Sequence, residues 1–393
     1  MMHRSLAVAL LLFALMLDQS AITTQADPSG TTFTVNSAVD MLDAAPGDGI
    51  CETSPGNGIC TLRGAIQETN ILPGPDTILL PAGTYAIARI GEDNDSGDFD
   101  ITDDLTIIGA GAGKSVIDGR TRDLVLEIWE RTVVEISGVT VTNGRNEVFG
   151  GGIFNKGDLR LRYVMVTSNT AYEVFTVAAA GGGLLNFGNA EIVGSTISNN
   201  FTEGLSFGSG VANYYNASLI ITNSTIASND VGNYAGSSSG AGGGIANEGS
   251  TRIWSSTIAD NIGEGIYNSS GTIQLTNSIL AENSVGNCTG SIVSNGHNLS
   301  SDTTCDFSNT GDISNTNPLL GPLQSNGGWT FTYALLEGSA AIDAGDNTTC
   351  PVSDQRGMNR PLDGDQDTIA TCDIGAFESI FFTDFHYIPF VIW

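Results

Sequence analysis

The loop DGDQDTIATCD near the C-terminus holds the residue types that most plainly suggest chemistry. Asp363, Asp365, Asp367 and Asp373 present carboxylates at nearly alternating positions, which suits Ca2+, a hard cation that takes roughly six to eight oxygen ligands. The loop lacks the closing glutamate of an EF-hand, so the plainer reading is a solvated loop braced by Asx turns. Asp40, Asp43 and Asp48 around a Gly-Asp-Gly turn form a second, poorer candidate. Ca2+ is the one cofactor that either loop suggests. His297, within SNGHNLSSD, reads as a loop-bracing histidine more than as a general base, and the adjacent Asp103 and Asp104 read as a turn.

Cysteine chemistry points to staples. The six cysteines fall as Cys51 with Cys60, Cys288 with Cys305 and Cys350 with Cys372. Spacing alone leaves other connectivities open. Neighbour pairing is the expectation, because each pair brackets a loop rich in Gly, Asn and Asp outside the repeats, where a solenoid needs fastening. Metal binding is disfavoured, since no CxxC spacing occurs and one of the 3 histidines stands at position 3.

The elements that position these loops are legible as a degenerate repeat from about Val134 to Asn283. A glycine-led element closing on asparagine (GGGIFN, GGGLLN, GSGVAN, GGGIAN, EGIYN) returns at Asn155, Asn186, Asn213, Asn247 and Asn268. Each is followed, at a nearly constant interval, by a second asparagine: Asn169, Asn200, Asn229, Asn261 and Asn283. Aliphatic residues hold fixed places before the second asparagine, in one row Val166, Ile197, Ile226, Ile258 and Leu280, in another Leu161, Ile192, Ile221, Ile253 and Leu275. Local alternation such as Leu159 and Leu161 has the period of two of a strand with one inward face. A repeat of this length without helical period is a solenoid, and two or three short strands per turn make it a parallel β-helix. The recurrent asparagines then read as internal amide ladders, each side chain bonding the next. Insertions collect on one side, in segments 170–180, 201–207 and 230–241, whose aromatics include Tyr172, Phe175, Phe201 and Tyr234, with Tyr214 and Tyr215 nearby.

Composition excludes several functions. Only 14 Lys plus Arg oppose 43 Asp plus Glu, a formal charge of -29, which repels nucleic acid and anionic lipid. Polyanionic substrates are disfavoured too unless a cation bridges the charges. At the N-terminus, His3 and Arg4 precede an apolar run from Leu6 to Leu17 and a small-residue stretch ending at Ala26, the pattern of a secretory leader over 1–26. No segment of the expected mature chain is long and apolar enough to span a bilayer. The tail IFFTDFHYIPFVIW, residues 380–393, is apolar but short, and is expected either to cover an edge or to act in attachment.

The two ends carry longer motifs. CTLRGAIQETN, with GDGIC upstream, resembles the N-terminal CSLREA domain of bacterial secreted proteins, with Thr61, Leu62, Arg63, Gly64 and Ala65 at the motif positions; Gly64 stands where that family has glutamate. NPLLGPLQSNGGWTFTYALLEGSAAIDAG and DQRGMNRPLDGDQDTIATCDIGAFE resemble the choice-of-anchor Q domain. With the middle, they resemble right-handed parallel β-helix proteins of the pectin-lyase-like superfamily; a shorter similarity links the repeats to chlamydial polymorphic outer-membrane adhesins. The resemblance implies an all-β, single-stranded right-handed β-helix at 76–316, a capping segment with a short helix at 27–75, and final coils and a cap at 317–379. It implies a secreted or cell-surface protein and brings no reaction with it.

Enzymes of that superfamily include polysaccharide lyases, which need a Lys or Arg base beside a Ca2+-bound uronate, and hydrolases with clustered aspartates. Lys114 and Lys156 are the only lysines, and Arg160, Arg162 and Glu191 form a weak cluster in the repeats, where Arg145 and Arg252 are the other arginines. The leading expectation is therefore a binding or scaffold protein whose partner is a polysaccharide or another surface component. The alternative is a carbohydrate-active lyase or hydrolase; the sequence leaves the oligomeric state open.

Overall fold

The computed structural model describes residues 30–89, 91, 95–147, 149–172, 179–204, 206–232 and 242–380. The expected leader and the tail beyond Ile380 lie outside them. Each coil supplies three short strands that pair in parallel with their counterparts one coil away, so the wall is a ten-stranded, a nine-stranded and an eight-stranded sheet. Ile153–Asn155, Asp158–Arg162 and Met165–Thr167 make one such coil. A fourth short strand, Thr170–Tyr172 in that coil, belongs to a four-stranded sheet that forms where the insertions begin. The architecture is the all-β parallel β-helix expected, with the helix Leu62–Thr69 its only α-helix among the described residues.

The aliphatic rows stack inside the solenoid in the expected register. Val141, Val166, Ile197, Ile226, Ile258 and Leu280 pair coil to coil. Ile136, Leu161, Ile192, Ile221, Ile253 and Leu275 do the same, and all of them are buried. Two corners are lined by asparagines, because a tight corner leaves backbone groups inside that a side-chain amide, donor and acceptor at once, can satisfy. Along the first corner the Nδ2 of Asn155, Asn186, Asn213 and Asn247 each donates to the Oδ1 of the next asparagine at 2.7, 2.8, 2.9 and 2.8 Å, ending on Asn268. Along the second, Asn169, Asn200, Asn229 and Asn261 donate at 3.0, 3.0, 2.9 and 2.9 Å, ending on Asn283. The glycine before the first corner is obligatory: a Cβ on Gly183 would sit 2.6 Å from the Gly210 carbonyl and 2.8 Å from Asn200 Nδ2.

A third, hydroxyl ladder lines the remaining corner. The backbone N–H groups of Val164, Ser195, Ser224 and Ser256 donate to the hydroxyls of Ser195, Ser224, Ser256 and Ser278. Serine is so common in this chain that the recurrence is easily passed over, although it keeps a constant distance from the second asparagine.

The N-terminal segment closes one end. Strand Thr32–Thr34 pairs with Asp76–Leu80 and extends the ten-stranded sheet. Sequence pattern predicts a helix with one buried face, Leu62, Ala65 and Ile66; all eight residues of Leu62–Thr69 are buried instead. The loop before it covers the polar face and supplies partners. Arg63 pairs with Asp40 at 2.5 Å and donates to the carbonyls of Gly97 and Asp98, while Glu68 accepts the Gly47 and Gly49 amides. Gly64 fits beneath Asp43, where an added Cβ would lie 3.6 Å from the Asp43 carboxylate. A glutamate at this position would put a second negative charge against the first.

Segment 317–379 does not stack as further coils. It forms an antiparallel hairpin, Leu320–Gln324 with Thr332–Leu335, and loops that lie along the nine-stranded sheet. Thr330 donates to the Gly194 carbonyl, Gln355 to the Ser195 carbonyl, and Tyr333 to Asp260. The threonine row Thr196, Thr225 and Thr257, buried beneath this segment, supplies the seam, with contacts to Phe331, Gln355 and Ala376. The six cysteines form three disulfides, Cys51–Cys60, Cys288–Cys305 and Cys350–Cys372, which fasten the N-terminal loop, the last coils and this lateral segment.

Candidate functional site

The structure does not bring the four aspartates of the acidic loop together. Asp363 accepts the amides of Gln366 and Thr368, Asp365 that of Asp367, and Asp367 that of Ile369, the local geometry of Asx turns. Asp363 and Asp365 gather with Asp343 instead. Asp373 turns inward, accepts the Asp343 and Ser379 amides, and lies in a buried group with Glu378 and Arg360. Burial pushes the Asp373 carboxyl up to about 6 and the Glu378 carboxyl up to about 7, the latter against the pull of Arg360, whose Nε lies 3.0 Å away. Asp40, Asp43 and Asp48 are likewise committed, Asp40 to Arg63 and the others to backbone amides. His297 donates from Nδ1 to the Ala344 carbonyl at 2.8 Å, and Asp104 accepts the Val133 amide, so both act as braces.

On the outer face of the ten-stranded sheet, Arg160 lies between Glu191 at 2.6 Å and Glu135 at 3.8 Å, and Arg162 reaches Glu135 at 3.4 Å. These charges neutralise one another in a ladder across three coils. A cation so paired is a poor base, and exposed pairs of this kind add little stability.

The eight-stranded sheet carries a different outer face. Its outward positions flank the first asparagine corner, and there Phe154, Phe187 and Tyr214 stand on three successive coils and Tyr267 two coils further on, joined by Phe149 and Phe207 from the neighbouring insertions. Ring centroids follow one another at 5.7 Å (Phe149 to Phe154), 5.2 Å (Phe154 to Phe187), 4.6 Å (Phe187 to Tyr214), 5.7 Å (Tyr214 to Phe207) and 6.3 Å (Phe207 to Tyr267). Trp129 extends the row by one coil through Lys156, whose ammonium stands 4.6 Å from the Trp129 ring and 5.1 Å from that of Phe154. At one coil per ~4.8 Å, the track from Trp129 to Tyr267 runs ~24 Å. Trp129, Phe149 and Phe187 remain 46%, 45% and 38% exposed, so the row is open to a partner. Of the aromatics singled out in the sequence, this track contains Tyr214 alone. Tyr172 lies under Arg145 in a neighbouring cleft, Phe201 sits in the four-stranded sheet, Tyr215 is a solvent-exposed turn residue, and Phe175 and Tyr234 lie outside the described residues.

The track ends in an acidic cluster absent from the sequence reading. Asp98 and Asp100 precede and lie within strand Phe99–Ile101, and Asp100 pairs with Glu127 one coil on, so the three carboxylates converge. Glu127 is bound by Lys156, and Asp100 accepts the Trp129 Nε1–H at 3.1 Å. Burial beside Asp100, Asp123 and Glu127 pushes Asp98 up to about 8, and burial also raises Asp100. A cleft of about 560 Å³ opens at Asp98 and Glu127 and is flanked by Arg122, Arg145 and Tyr172; a second, of about 330 Å³, opens at Asp100 and Trp129.

Among solved structures, this chain is similar to the pectate lyase Pel9A. The TM-score is 0.51 at 17% identity, over 90% of this chain and 98% of that one. The fold is thus a right-handed, pectin-lyase-like β-helix, and at that identity the likeness extends to the fold alone. No protein-family model and no curated protein matches the sequence.

Proposed function

We propose that this β-helix is a secreted or cell-surface protein that binds a polysaccharide along the outer face of its eight-stranded sheet. The aromatic track carries this reading. Sugar rings present apolar C–H faces that stack on aromatic side chains, and rings held on a rigid scaffold bind without the entropic cost of ordering a loop. An extended glycan and a stack of coils are both linear, so one chain can meet several rings in succession. The flanking Lys156, Arg145 and carboxylates offer polar partners for hydroxyls. Three disulfides fit an oxidising compartment, and among the described residues no helix is long and apolar enough to cross a membrane. The end segments are read, on their motifs, as CSLREA-type and choice-of-anchor Q-type domains.

The fold likeness to a pectate lyase favours a second reading, cleavage of a bound polysaccharide. Against it, Lys156 is paired with Glu127, and Arg160 with Glu135 and Glu191. The test is a panel of neutral and acidic polysaccharides read for retention of the protein and, in parallel, for new reducing ends and for unsaturated-product absorbance. Retention without product supports binding. Multiple turnovers of product would replace it with catalysis, and failure to retain any glycan would remove both.

A further inference from the structure

The geometry points to a divalent cation site of the Ca2+ class built by Asp98, Asp100 and Glu127, at the seam between the N-terminal helix segment and the first coils. One carboxylate oxygen from each of the three lies within 4.8 Å of the other two. Oxygens bound to one Ca2+ at about 2.4 Å lie no further apart than about 4.8 Å, so a single ion can touch all three. Asp98 is 7% and Asp100 8% exposed. The Asp98 carboxylate has its own backbone amide as its one donor among the described residues, and it faces the other two carboxylates. A largely buried carboxylate with so little compensation is costly unless it is neutralised or coordinated. The other two are pre-oriented, Asp100 by the Trp129 indole and Glu127 by Lys156.

Nearby cations do not remove the deficit. Lys156 supplies one positive charge, while Arg63 is spent on Asp40 and on the Gly97 and Asp98 carbonyls. The clefts on either side leave room for water ligands to complete the shell, which the flexible coordination of Ca2+ accepts more readily than the strict octahedron of Mg2+. The site also has structural reach. The Asp98 carbonyl accepts Arg63, and the Asp100 carbonyl accepts Asn70 Nδ2 at 2.8 Å, so an ion here fixes the strand to which the helix segment is tied. This inference stands independently of the glycan reading.

The test uses the full chain after removal of divalent ions with EDTA. Thermal melts with and without millimolar CaCl2 should show a rise of at least several degrees for the wild type. Asp98→Asn should abolish that rise and, with EDTA present, melt above the wild type, because the poorly compensated carboxylate is gone. Asp363→Asn, in the other acidic group, should keep the Ca2+ response. Tb3+ is a second probe that needs no destabilised variant: Trp129 borders the site, so excitation of tryptophan should sensitise Tb3+ emission, with most of the signal lost in Trp129→Phe and displaced by Ca2+. A wild type that neither shifts with Ca2+ nor sensitises Tb3+ overturns the site, as does a Ca2+ response retained by Asp98→Asn or lost in Asp363→Asn.

Discussion

Replacing Asn229 with alanine tests the corner ladders on which the fold depends. Asn229 is fully buried. Its Oδ1 accepts the Asn200 backbone N–H and Nδ2, both at 3.0 Å, and its Nδ2 donates to the Ile197 carbonyl at 3.1 Å and to Asn261 Oδ1 at 2.9 Å. Truncation removes all of these. Asn200 Nδ2 keeps the Val166 carbonyl and Asn261 Oδ1 keeps the Asn229 backbone N–H, but the Asn200 N–H is stranded in the interior. One stranded donor costs about 1–3 kcal/mol, and each of the other three lost bonds about 1 kcal/mol more, giving a total of roughly 4–6 kcal/mol. That is a large part of a typical stability of roughly 5–15 kcal/mol. Equilibrium urea unfolding followed by circular dichroism measures it, with Asn189→Ala as control, since exposed Asn189 makes one side-chain bond, to Asp158 at 2.6 Å. The control should change by no more than ~0.5 kcal/mol. A loss for Asn229→Ala within about 1 kcal/mol of the control would refute the ladder as a structural element.

Three further outcomes follow from the same structure. Ile226→Asp puts an unpaired charge into the aliphatic stack and should cost several kcal/mol, on the order of the whole stability, so a variant that melts like wild type contradicts the register. Asp373, Glu378 and Asp98 have folded values raised to about 6, 7 and 8, so their contribution to stability is fully present below their unfolded values and is lost as pH rises through the folded ones. With EDTA present, the urea midpoint should therefore fall steadily from pH 5 to pH 8; a flat or rising profile contradicts these environments. Substituting serine for both Cys288 and Cys305, which close a loop over the last coils, should lower stability by about 2–4 kcal/mol in the same unfolding assay, and no change would show that the loop is held without the bond.

The interior of this protein was written in its sequence and the exterior was not. A solenoid imposes the same steric demand on every coil, so the slots of Ile226 and Asn229 repeat their residue types and show the period directly. The outward positions meet only water and neighbouring side chains, and no rule repeats there. Phe154, Phe187, Tyr214 and Tyr267 occupy the places immediately before or after the first corner asparagine, a signal available once that asparagine is recognised as a corner. Trp129, Asp100 and Glu127 were hidden more deeply, because in their coils Ile101 and Ile128 stand at the corner in place of asparagine and the frame is lost. The acidic loop was legible in part: its alternating aspartates satisfy their own turn amides, as the plainer reading expects, but the burial of Asp373 with Arg360 and Glu378 depends on residues distant in sequence.

The most direct test of the glycan-binding face is calorimetric titration of the polysaccharide best retained in the panel against wild type, Trp129→Ala, Phe187→Ala and the control Trp329→Ala. Trp329 is 55% exposed but belongs to the lateral segment on another side of the solenoid. Loss of one stacking ring at about 1.4 kcal/mol or more should weaken binding at least tenfold in each track variant and leave the control unchanged. Equal affinity across all four proteins would place the glycan elsewhere and contradict the account.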